Sequence, residues 1–387
     1  MATAIESLPE SRPAANTTSI DFFEVRSAAE LRAYESAWHE LDRQVTSPMQ
    51  TFAWIEACAE TFGASGRVEV LVGRAGDEIV AAAPLLIPSG WAGRAELLNY
   101  YRVFEPADFA YRDGEALAAL AQAVCDRRRP FLLERIFAAA PTVATLERAV
   151  GPAAWLTARP QSATPWIPLD ESWSAPEQKL SSRRRSDFRR SWRHAEQAGA
   201  VRTEHHAPDP DEVDHLLDLA FDVEKRSWKG AAGTALADGR HGDFYRRYAR
   251  SAALAGKFRV ELLYIGEQIA AMQLAVVHQN RYWVLKVGYD PDFQRASPGI
   301  LLMVEAIKRA VADELSTYEL LGTVEPWIQV WTELERPCLS LRYYPANWRG
   351  ATALAGDALR KFGEQGKRRI RLAKKGIRFG RRSKCQD

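Results

Sequence analysis

The sequence predicts a mixed α/β fold of the α+β kind, with two similar halves that each hold a mixed, mostly antiparallel sheet flanked by helices. Three observations support this prediction. Short β-branched and aromatic runs alternate with longer segments of helical periodicity. Three strand-like runs follow one another with tight turns at Gly266-Glu267 and Gln279-Asn280, which indicates an antiparallel meander. A similar hairpin pattern occurs earlier in the chain.

Composition narrows the class of protein. The chain has 387 residues, of which 47% are hydrophobic, so two or three domains with sizeable cores are expected. The four cysteines show no CxxC spacing and the seven histidines no HxxxH or HxH pattern. We therefore expect no metal site and no disulfide framework. No apolar run is long enough to cross a bilayer, and residues 1–19 lack the features of a signal peptide, so they are expected to be a flexible N-terminus.

The earlier hairpin pattern is an internal similarity. VLVGRAGDEIVAAAPLLI begins at Val70, and LLYIGEQIAAMQLAVV begins at Leu262. Both read as a strand, a turn of Gly and an acidic residue, Ile, small residues and a second strand. Gly76 aligns with Gly266, about 190 residues later. The pattern predicts two related halves; a hairpin shared by chance is the alternative.

The predicted halves span residues 20–165 and 178–345. Five prolines between residues 151 and 178 indicate the boundary between them. Pro84 lies inside the second strand of the first hairpin, which predicts an edge strand or a bulge there.

The second half contains the stretch most suggestive of a ligand site. The run Tyr282–Tyr289 suits a buried strand, and Asp290 helps to stop it. After a polar loop, Ser297 is predicted as a helix N-cap, Pro298 as the first helical residue and Gly299 as a place of close backbone approach. A helix N-terminus after such a loop can hold a pyrophosphate. A capped helix that leads out of a sheet without a ligand is the alternative.

Four stretches carry a resemblance to a known family. They are RRSWRHAEQAG from Arg189, EKRSWKGAAGTAL from Glu224, GYDPDFQRASPGILL from Gly288 and GTVEPWIQVW from Gly322. With the order helix, helix, three antiparallel strands, loop, helix, strand, the chain resembles the GNAT acyltransferase fold over about residues 20–345. More closely, it resembles the CelD-like, FemABX-related branch, in which two GNAT-like domains lie in tandem.

The resemblance implies acyl-CoA, such as acetyl-CoA, as co-substrate and no metal. The loop before the long helix would bind the pyrophosphate, and the strand before that loop would pair with pantetheine where the sheet splays. The residues implied in acyl-CoA binding are Lys286, Val287, Gly288, Gln294, Arg295, Ala296, Ser297, Pro298, Gly299, Ile300 and Leu301. Where this branch often has a Lys after Glu-Pro-aromatic, the chain has Ile328.

Acyl transfer from a thioester needs a base for the acceptor, donors for the oxyanion and an acid for the thiolate. Glu224 and Glu325 are the candidate bases, and Tyr289 is the candidate acid. Each has a structural alternative: an ion pair for Glu224, a helix cap for Glu325 and a core position for Tyr289. The candidate substrate-binding residues are Trp228, Lys229 and Asp108.

Charge is unevenly distributed. Residues 357–387 hold 12 Lys/Arg and three acidic residues, whereas the rest of the chain holds 40 basic and 47 acidic residues. This basic tail is expected either to contact an anionic membrane or acidic partner, or to be a disordered solubilising segment. The Arg-rich helix at Arg183–Arg193 is expected to face solvent or to contact an acidic partner rather than nucleic acid. The reason is that the rest of the chain is acidic and the run lacks exposed aromatic side chains for stacking.

The sequence therefore predicts an acyl-CoA-dependent N- or O-acyltransferase. Its expected acceptor is a small molecule or saccharide, such as an envelope-polysaccharide precursor. Its expected location is cytoplasmic, with peripheral contact at the inner membrane as a further expectation. The alternatives are a non-catalytic GNAT-like accessory protein of polysaccharide synthesis and a FemABX-like aminoacyl transferase that uses tRNA.

Overall fold

The structure is a computed structural model that describes residues 19–89, 93–98, 103–227 and 239–361. The helices are α1 (Ala28–Arg32), α2 (Glu35–Gln44), α3 (Phe52–Phe62), α4 (Gly114–Asp126), α5 (Pro141–Ala149), α6 (Ser182–Ala198), α7 (Val213–Arg226), α8 (Arg240–Leu254), α9 (Pro298–Ala312) and α10 (348–361). The strands are β1 (Asp21–Val25), β2 (Gly66–Ala75), β3 (Glu78–Pro88), β4 (Ala95–Leu97), β5 (Ala110–Tyr111), β6 (Phe131–Phe137), β7 (Ala154–Pro168), β8 (Val201–His206), β9 (Phe258–Ile265), β10 (Gln268–His278), β11 (Arg281–Tyr289), β12 (Thr317–Glu319) and β13 (Glu335–Pro345).

One sheet runs through the molecule in the order β1-β2-β3-β4-β6-β13-β7-β12-β11-β10-β9-β8, and β5 pairs with β3. Among the described strands, only β4–β6 and β11–β12 pair in parallel. The other pairs are antiparallel, including the predicted meander β9-β10-β11. The prediction of a mixed, mostly antiparallel sheet flanked by helices is confirmed.

The two similar hairpins share their turn and their irregularity. Gly76 and Gly266 have φ angles of 64° and 63°, a left-handed conformation that glycine adopts without strain. In each hairpin one residue of the second strand is skipped in the register, Val80 in the first and Ala270 in the second. These two bulged residues occupy equivalent positions of the repeat. A matched bulge favours related halves over a hairpin shared by chance, because bulges are specific local features.

The last strands of the two halves lie side by side at the centre of the sheet. Strand β7, which ends the first half, pairs with β12 of the second half. Strand β13, which ends the second half, pairs with β6 of the first. Between them, β7 and β13 form a long antiparallel pair that extends from Ala154↔Pro345 to Pro165↔Glu335. Each half therefore completes its sheet with a strand contributed by the other half.

This strand exchange changes the interpretation of residues 151–178. Their prolines predicted a boundary, but most of this segment is the 15-residue strand β7. Over Pro160, β7 pairs only with β13 among the described strands; beside Pro165, the Leu320 amide donates to the Pro165 carbonyl at 3.1 Å, and no neighbouring carbonyl there needs a donor. Proline is tolerated at such positions because no neighbouring strand needs its missing N–H.

The prediction that Pro84 marks an edge strand or a bulge is wrong. β3 lies inside the sheet, and Pro84 pairs with Val70 in regular register. On the other side of β3, β5 pairs with residues 81 and 82, whereas β4 pairs with residues 85 and 86. Pro84 lies between these two short strands, so no neighbouring carbonyl there needs a donor from residue 84.

Helices from both halves pack against the sheet. One hydrophobic cluster extends from Trp54 of α3 to Phe244 of α8, whose rings lie 4.9 Å apart in an edge-on arrangement. On the opposite face of the second half, α9 packs its buried residues Val304 and Ile307 against Tyr282 and Tyr318. This packing fixes where α9 begins relative to β11.

Candidate functional site

The sheet parts beside β11. β11 pairs with β12 only over Arg281–Trp283, but stays paired with β10 as far as Tyr289. β12 ends at Glu319, so the last part of β11 has no described strand on that side. A cavity of about 480 Å³ opens at this point, next to the N-terminus of α9. A strand that is open on one edge can bind an extended ligand through its main chain.

The cavity brings together two regions that the sequence predicted as one site. It is lined by Val287, Gly288 and Tyr289 from β11, by Gln294, Ser297, Pro298, Gly299 and Ile300 from the loop and α9, and by Glu325. The rest of the wall consists of Ser227, Gln273, Met303, Leu320 and Trp327. The corner at the start of α9 is thus open, and the cavity extends from it to Tyr289.

Ser297 is the N-cap residue of α9, as predicted, but its side chain does not cap the helix. Ser297 adopts the left-handed conformation, with φ 48° and ψ 53°, and its side chain makes no capping hydrogen bond. The preceding residues form a short 3₁₀ helix, Pro291–Ala296, so the chain must turn sharply at residue 297 before α9 begins. A non-glycine residue in this region carries strain of about 1–2 kcal/mol. The hydroxyl group, which is not used as a cap, lies in the cavity wall.

Fewer backbone amides face the cavity than the sequence predicted. Pro298 has no N–H, and the amides of Ile300 and Leu301 both donate to the Ser297 carbonyl, at 2.9 and 3.3 Å. Within the described part of the chain, the Gly299 N–H is the first-turn amide left without an acceptor. One free amide, the helix dipole and the Ser297 hydroxyl together form a small anion-binding corner.

Asp290 holds this corner in place. Its buried carboxylate accepts hydrogen bonds from Arg226 Nε at 2.7 Å, Gln268 Nε2 at 2.9 Å and the Asp292 amide at 3.0 Å. Arg226 also donates to the Ile269 carbonyl at 3.1 Å. The end of α7, the start of β10 and the loop before α9 are therefore linked through one charged group.

The three candidate catalytic residues occupy different positions. Glu325 lines the cavity, and its Oε2 accepts a hydrogen bond from Trp327 Nε1 at 2.7 Å. Tyr289 is 40% exposed and lies beside Gly299. Glu224 is buried on α7 behind Gly288: a methyl group placed on Gly288 would come 3.7 Å from the Glu224 Cα atom. Glu325 and Tyr289 can thus reach a cavity ligand from one side, and the backbone of Glu224 supports the strand from the other.

Several predicted site residues do not line the cavity. Arg295 is exposed in the 3₁₀ helix, whereas Ala296 and Leu301 are buried in the core. The Lys286 ammonium lies 5.6 Å from the ring centre of Tyr245, on the α8 side of the sheet. Ile328, which stands where the related branch often has a lysine, is a core residue.

The predicted substrate-binding residues are not brought to this cavity by the described structure. Asp108 belongs to the first half, where its carboxylate accepts from the Phe109 amide at 2.7 Å and lies beside Thr142. Burial raises the pKa of Asp108 to about 7. Trp228 and Lys229 lie outside the described residues, as do residues 1–18 and residues 362–387 of the basic tail.

Sequence reasoning missed five wall residues and a buried polar cluster behind the site. Gln273 was detectable in principle, because it interrupts the apolar run of β10. Trp327 stood in a quoted motif without an assigned role. Ser227 also stood in a quoted stretch, the one from Glu224, without an assigned role. Met303 and Leu320 reach the wall only through tertiary packing, and nothing in the local sequence singles them out.

The buried cluster links the two halves. Arg135 is fully buried and donates to the carbonyls of Phe104, in the first half, and Gly322, in the second, the latter at 2.5 Å. The Gly322 amide lies close to the carboxylate of Glu105. Burial raises the pKa of Glu105, and the charges of Lys286 and Arg135, together with this amide, oppose that rise. The first half therefore places charged groups next to the strand that forms the cavity.

A second groove, of about 630 Å³, lies between α6 and α9. Its wall contains Phe188 and Trp192 together with Arg185, Arg189, Arg193, Lys308, Glu177 and Glu305. Both rings are half-buried and pack against the hydrophobic core, which agrees with the expectation that the Arg-rich helix lacks exposed aromatic groups, but their remaining surface lines this groove. Helical spacing places them beside the arginines on one face of α6.

Comparison with known proteins agrees with this geometry. Residues 182–328 match the family described as an acetyltransferase (GNAT) domain. The C-terminal domain of a protein described as a lysylphosphatidylglycerol synthetase, from Agrobacterium fabrum, is 15% identical with a TM-score of 0.55, over 86% of this chain and 96% of that one. FemX is 11% identical with a TM-score of 0.53, over 84% of this chain and 97% of that one. No curated protein matches the sequence.

A parted sheet beside a helix N-terminus, repeated halves and these fold similarities define the GNAT class of acyltransferase folds. Residues 182–328 therefore match a GNAT domain, and over most of its length the chain is similar in fold to FemX and to the synthetase domain. The predicted resemblance and fold class are thus confirmed, while the CelD-like assignment stays a prediction. In the described ranges no group of acidic, His and Cys side chains is arranged to hold a metal, and no described helix is long and apolar enough to span a membrane.

Proposed function

We propose that the protein is an acyl-CoA-dependent acyltransferase that transfers its acyl group directly to an amine or hydroxyl acceptor. One observation carries the proposal: the helix corner at Ser297–Gly299 and the strand Val287–Tyr289 line the same cavity where the sheet parts. A pyrophosphate at the corner and a pantetheine arm along the open edge of β11 both suit this arrangement. From the family resemblance, the proposed acceptor is a saccharide precursor of the cell envelope.

In this proposal the acceptor attacks the thioester carbonyl in a single complex. A bond forms between the acceptor atom and the acyl carbon, the C–S bond breaks, and Glu325 accepts the acceptor's proton. Tyr289 supplies a proton to the leaving thiolate. Backbone amides of β11 that point away from β10 beyond Trp283 have no described strand beside them, so they can stabilise the oxyanion. Glu224 is the second candidate base.

Calorimetric titration with acetyl-CoA and longer acyl-CoAs tests the proposed binding of acyl-CoA. We expect binding that weakens with salt, and about 10-fold or greater loss of affinity in Ser297→Ala, since a hydrogen bond to a charged group contributes about 1.5–3 kcal/mol. Ser316→Ala is the matched control, because its hydroxyl donates to the Asn280 carbonyl away from the cavity. Absence of binding by every acyl-CoA contradicts the proposal.

Measurement of turnover tests the proposed transfer step. With an accepted amine or hydroxyl substrate, Glu325→Gln is expected to lower kcat about 100-fold or more while leaving acyl-CoA affinity nearly unchanged. A larger loss in Glu224→Gln than in Glu325→Gln assigns the base to Glu224 instead. Tight binding of acyl-CoA without any turnover favours the non-catalytic accessory protein.

A second candidate function, aminoacyl transfer from tRNA, is favoured by the groove between α6 and α9. Four cationic side chains and two aromatic rings in one groove suit a nucleic-acid backbone with stacked bases, although Glu177 and Glu305 oppose this. Gel-shift assays with tRNA test it. Binding should fall in Arg189→Ala and Arg193→Ala but not in Arg190→Ala, whose guanidinium pairs with Asp187 at 2.7 Å. Equal binding by all three variants removes this candidate.

A further inference from the structure

A chain of hydrogen bonds connects the protein surface to the wall of the cavity. His205 Nδ1 contacts Glu261 Oε2, and Tyr282 Oη donates to Glu261 Oε1 at 2.8 Å. Gln273 Nε2 donates to Tyr282 Oη at 3.3 Å, and Tyr318 Oη donates to Gln273 Oε1 at 2.8 Å. All of these residues except His205 are buried. Buried polar groups that are joined in such a network hold one another in a single arrangement.

The carboxylate of Glu261 sets the direction of this chain. When ionised it can only accept hydrogen bonds, so Tyr282 must donate its hydroxyl hydrogen to it. The Tyr282 oxygen is then left to accept, which places the nitrogen of the Gln273 amide, rather than its oxygen, towards Tyr282. The donor at Tyr318 meets the amide oxygen and reinforces the same orientation. The amide of Gln273 is therefore locked in one of its two possible flips.

The locked amide lies at the cavity. Gln273 pairs across the sheet with Val287, the residue of β11 that lines the cavity beside it. Its Nε2 carries two hydrogens, and one is used by Tyr282. For the second hydrogen, no acceptor occurs among the hydrogen bonds of the described residues. Gln273 is thus a pre-oriented donor in a cavity wall that is otherwise largely apolar along β11 and α9.

We propose that Gln273 donates this hydrogen to a carbonyl oxygen of the acyl-pantetheine arm, and that Glu261, Tyr282 and Tyr318 are positioning residues that hold its amide ready. The inference rests on the proposed acyl-CoA function and adds a specific substrate-binding residue to it. The carbonyl is either that of the thioester or that of a pantetheine amide, and both are neutral acceptors of the same chemistry. A locked donor loses little rotamer freedom when the ligand binds, so its hydrogen bond contributes more of its strength to affinity.

Calorimetric titration of Gln273→Met with acetyl-CoA and with CoA tests the proposal. Met has a similar length and suits a buried strand, so the fold is expected to survive, which thermal unfolding checks. We expect acetyl-CoA affinity to fall about 3- to 10-fold, the effect of one neutral hydrogen bond. A loss of affinity for acetyl-CoA alone identifies the thioester carbonyl as the acceptor. An equal loss of affinity for acetyl-CoA and CoA identifies a pantetheine carbonyl. Unchanged affinity for both overturns the proposal.

A second variant tests the positioning role. Tyr318→Phe leaves Gln273 in place but removes the donor to its amide oxygen, so affinity should fall by a smaller factor, about 2- to 5-fold. Tyr248→Phe is the matched control, since it removes one hydroxyl from a tyrosine buried on the other face of the sheet and should leave affinity unchanged. Equal effects of Tyr318→Phe and Tyr248→Phe overturn the positioning role. If the wild type binds no acyl-CoA, the proposed function itself fails; if it binds and Gln273→Met binds equally well, only this inference fails.

Discussion

Replacing Gly299 by alanine should raise stability and lower acyl-CoA affinity at the same time. A methyl group placed on Gly299 has as its nearest neighbour Tyr289 Cδ1 at 3.9 Å, which is ordinary van der Waals contact. The folded protein thus accepts the methyl group without strain. Alanine in a helix is favoured over glycine by about 0.5–1 kcal/mol, chiefly because the unfolded chain loses freedom. For a chain of this length, the gain corresponds to roughly 0.6–1.2 °C in Tm.

The affinity should move in the opposite direction because of where Gly299 lies. Its amide is the first-turn N–H that has no described acceptor, and its Cα lies in the cavity wall. A methyl group there keeps a pyrophosphate oxygen away from that amide. Loss of a hydrogen bond to a charged group costs about 1.5–3 kcal/mol, or about 10- to 150-fold in Kd.

Thermal unfolding and calorimetric titration with acetyl-CoA measure the two effects on the same sample. Gly114→Ala is the matched control, because Gly114 begins α4 in the first half and a methyl group on it meets no atom within 4 Å. It should gain stability equally and leave affinity unchanged. A Gly299→Ala protein that binds acetyl-CoA as tightly as the wild type would refute the assignment of this corner to the pyrophosphate.

Two further predictions concern the buried charges. Arg135→Met should destabilise the protein by about 3–5 kcal/mol in urea denaturation, because it removes two buried hydrogen bonds, one of which joins the halves, and leaves the charge of Glu105 without that partner. The exposed Arg148→Met should change stability by less than about 0.5 kcal/mol, and equal effects of the two would contradict this reading. The hydrogen bond to Glu261 raises the pKa of His205 above its ordinary value of 6.5, against burial and the charge of Arg309 and with a small contribution from Glu305. The stability from this pair should therefore be complete below pH 6.5 and lost as pH rises through the raised pKa, so the Tm difference between wild type and His205→Gln should shrink between pH 6 and 9. The contribution of the His205–Glu261 pair to the free energy of unfolding should be at most about 1 kcal/mol, because His205 is partly exposed.

Local sequence determined much of the site because its parts are close in the chain. The strand Tyr282–Tyr289, the turn at Asp290 and the helix at Pro298 are consecutive, and each has a physical signal in its own residues. The conformation of Ser297 was not predictable in this way. Serine favours capping, but the 3₁₀ helix before it and the buried Ala296 require a left-handed residue at that position.

Long-range pairing was the part that sequence could not supply. The partners of β13 lie about 200 residues away in β6, and no local pattern specifies that choice. The prolines of β7 predicted a break between the halves. They are compatible with a strand because β7 pairs mainly with β13 on one side, so no neighbouring strand needs the missing N–H groups. Gln273 gave a visible signal as a polar residue in an apolar strand, but its partners Tyr282 and Tyr318 meet it only through the packing of α9 against the sheet.

The crossed pairing of β7 and β13 has a practical consequence for any attempt to divide this protein. A fragment that stops before residue 335 deprives β6 of its neighbour, and one that starts after residue 168 does the same to β12. Each fragment would expose a bare strand edge that attracts foreign chains. The second half, which contains the candidate site, should therefore be difficult to express alone. Fusion partners should be attached at the ends of the chain rather than between the two halves.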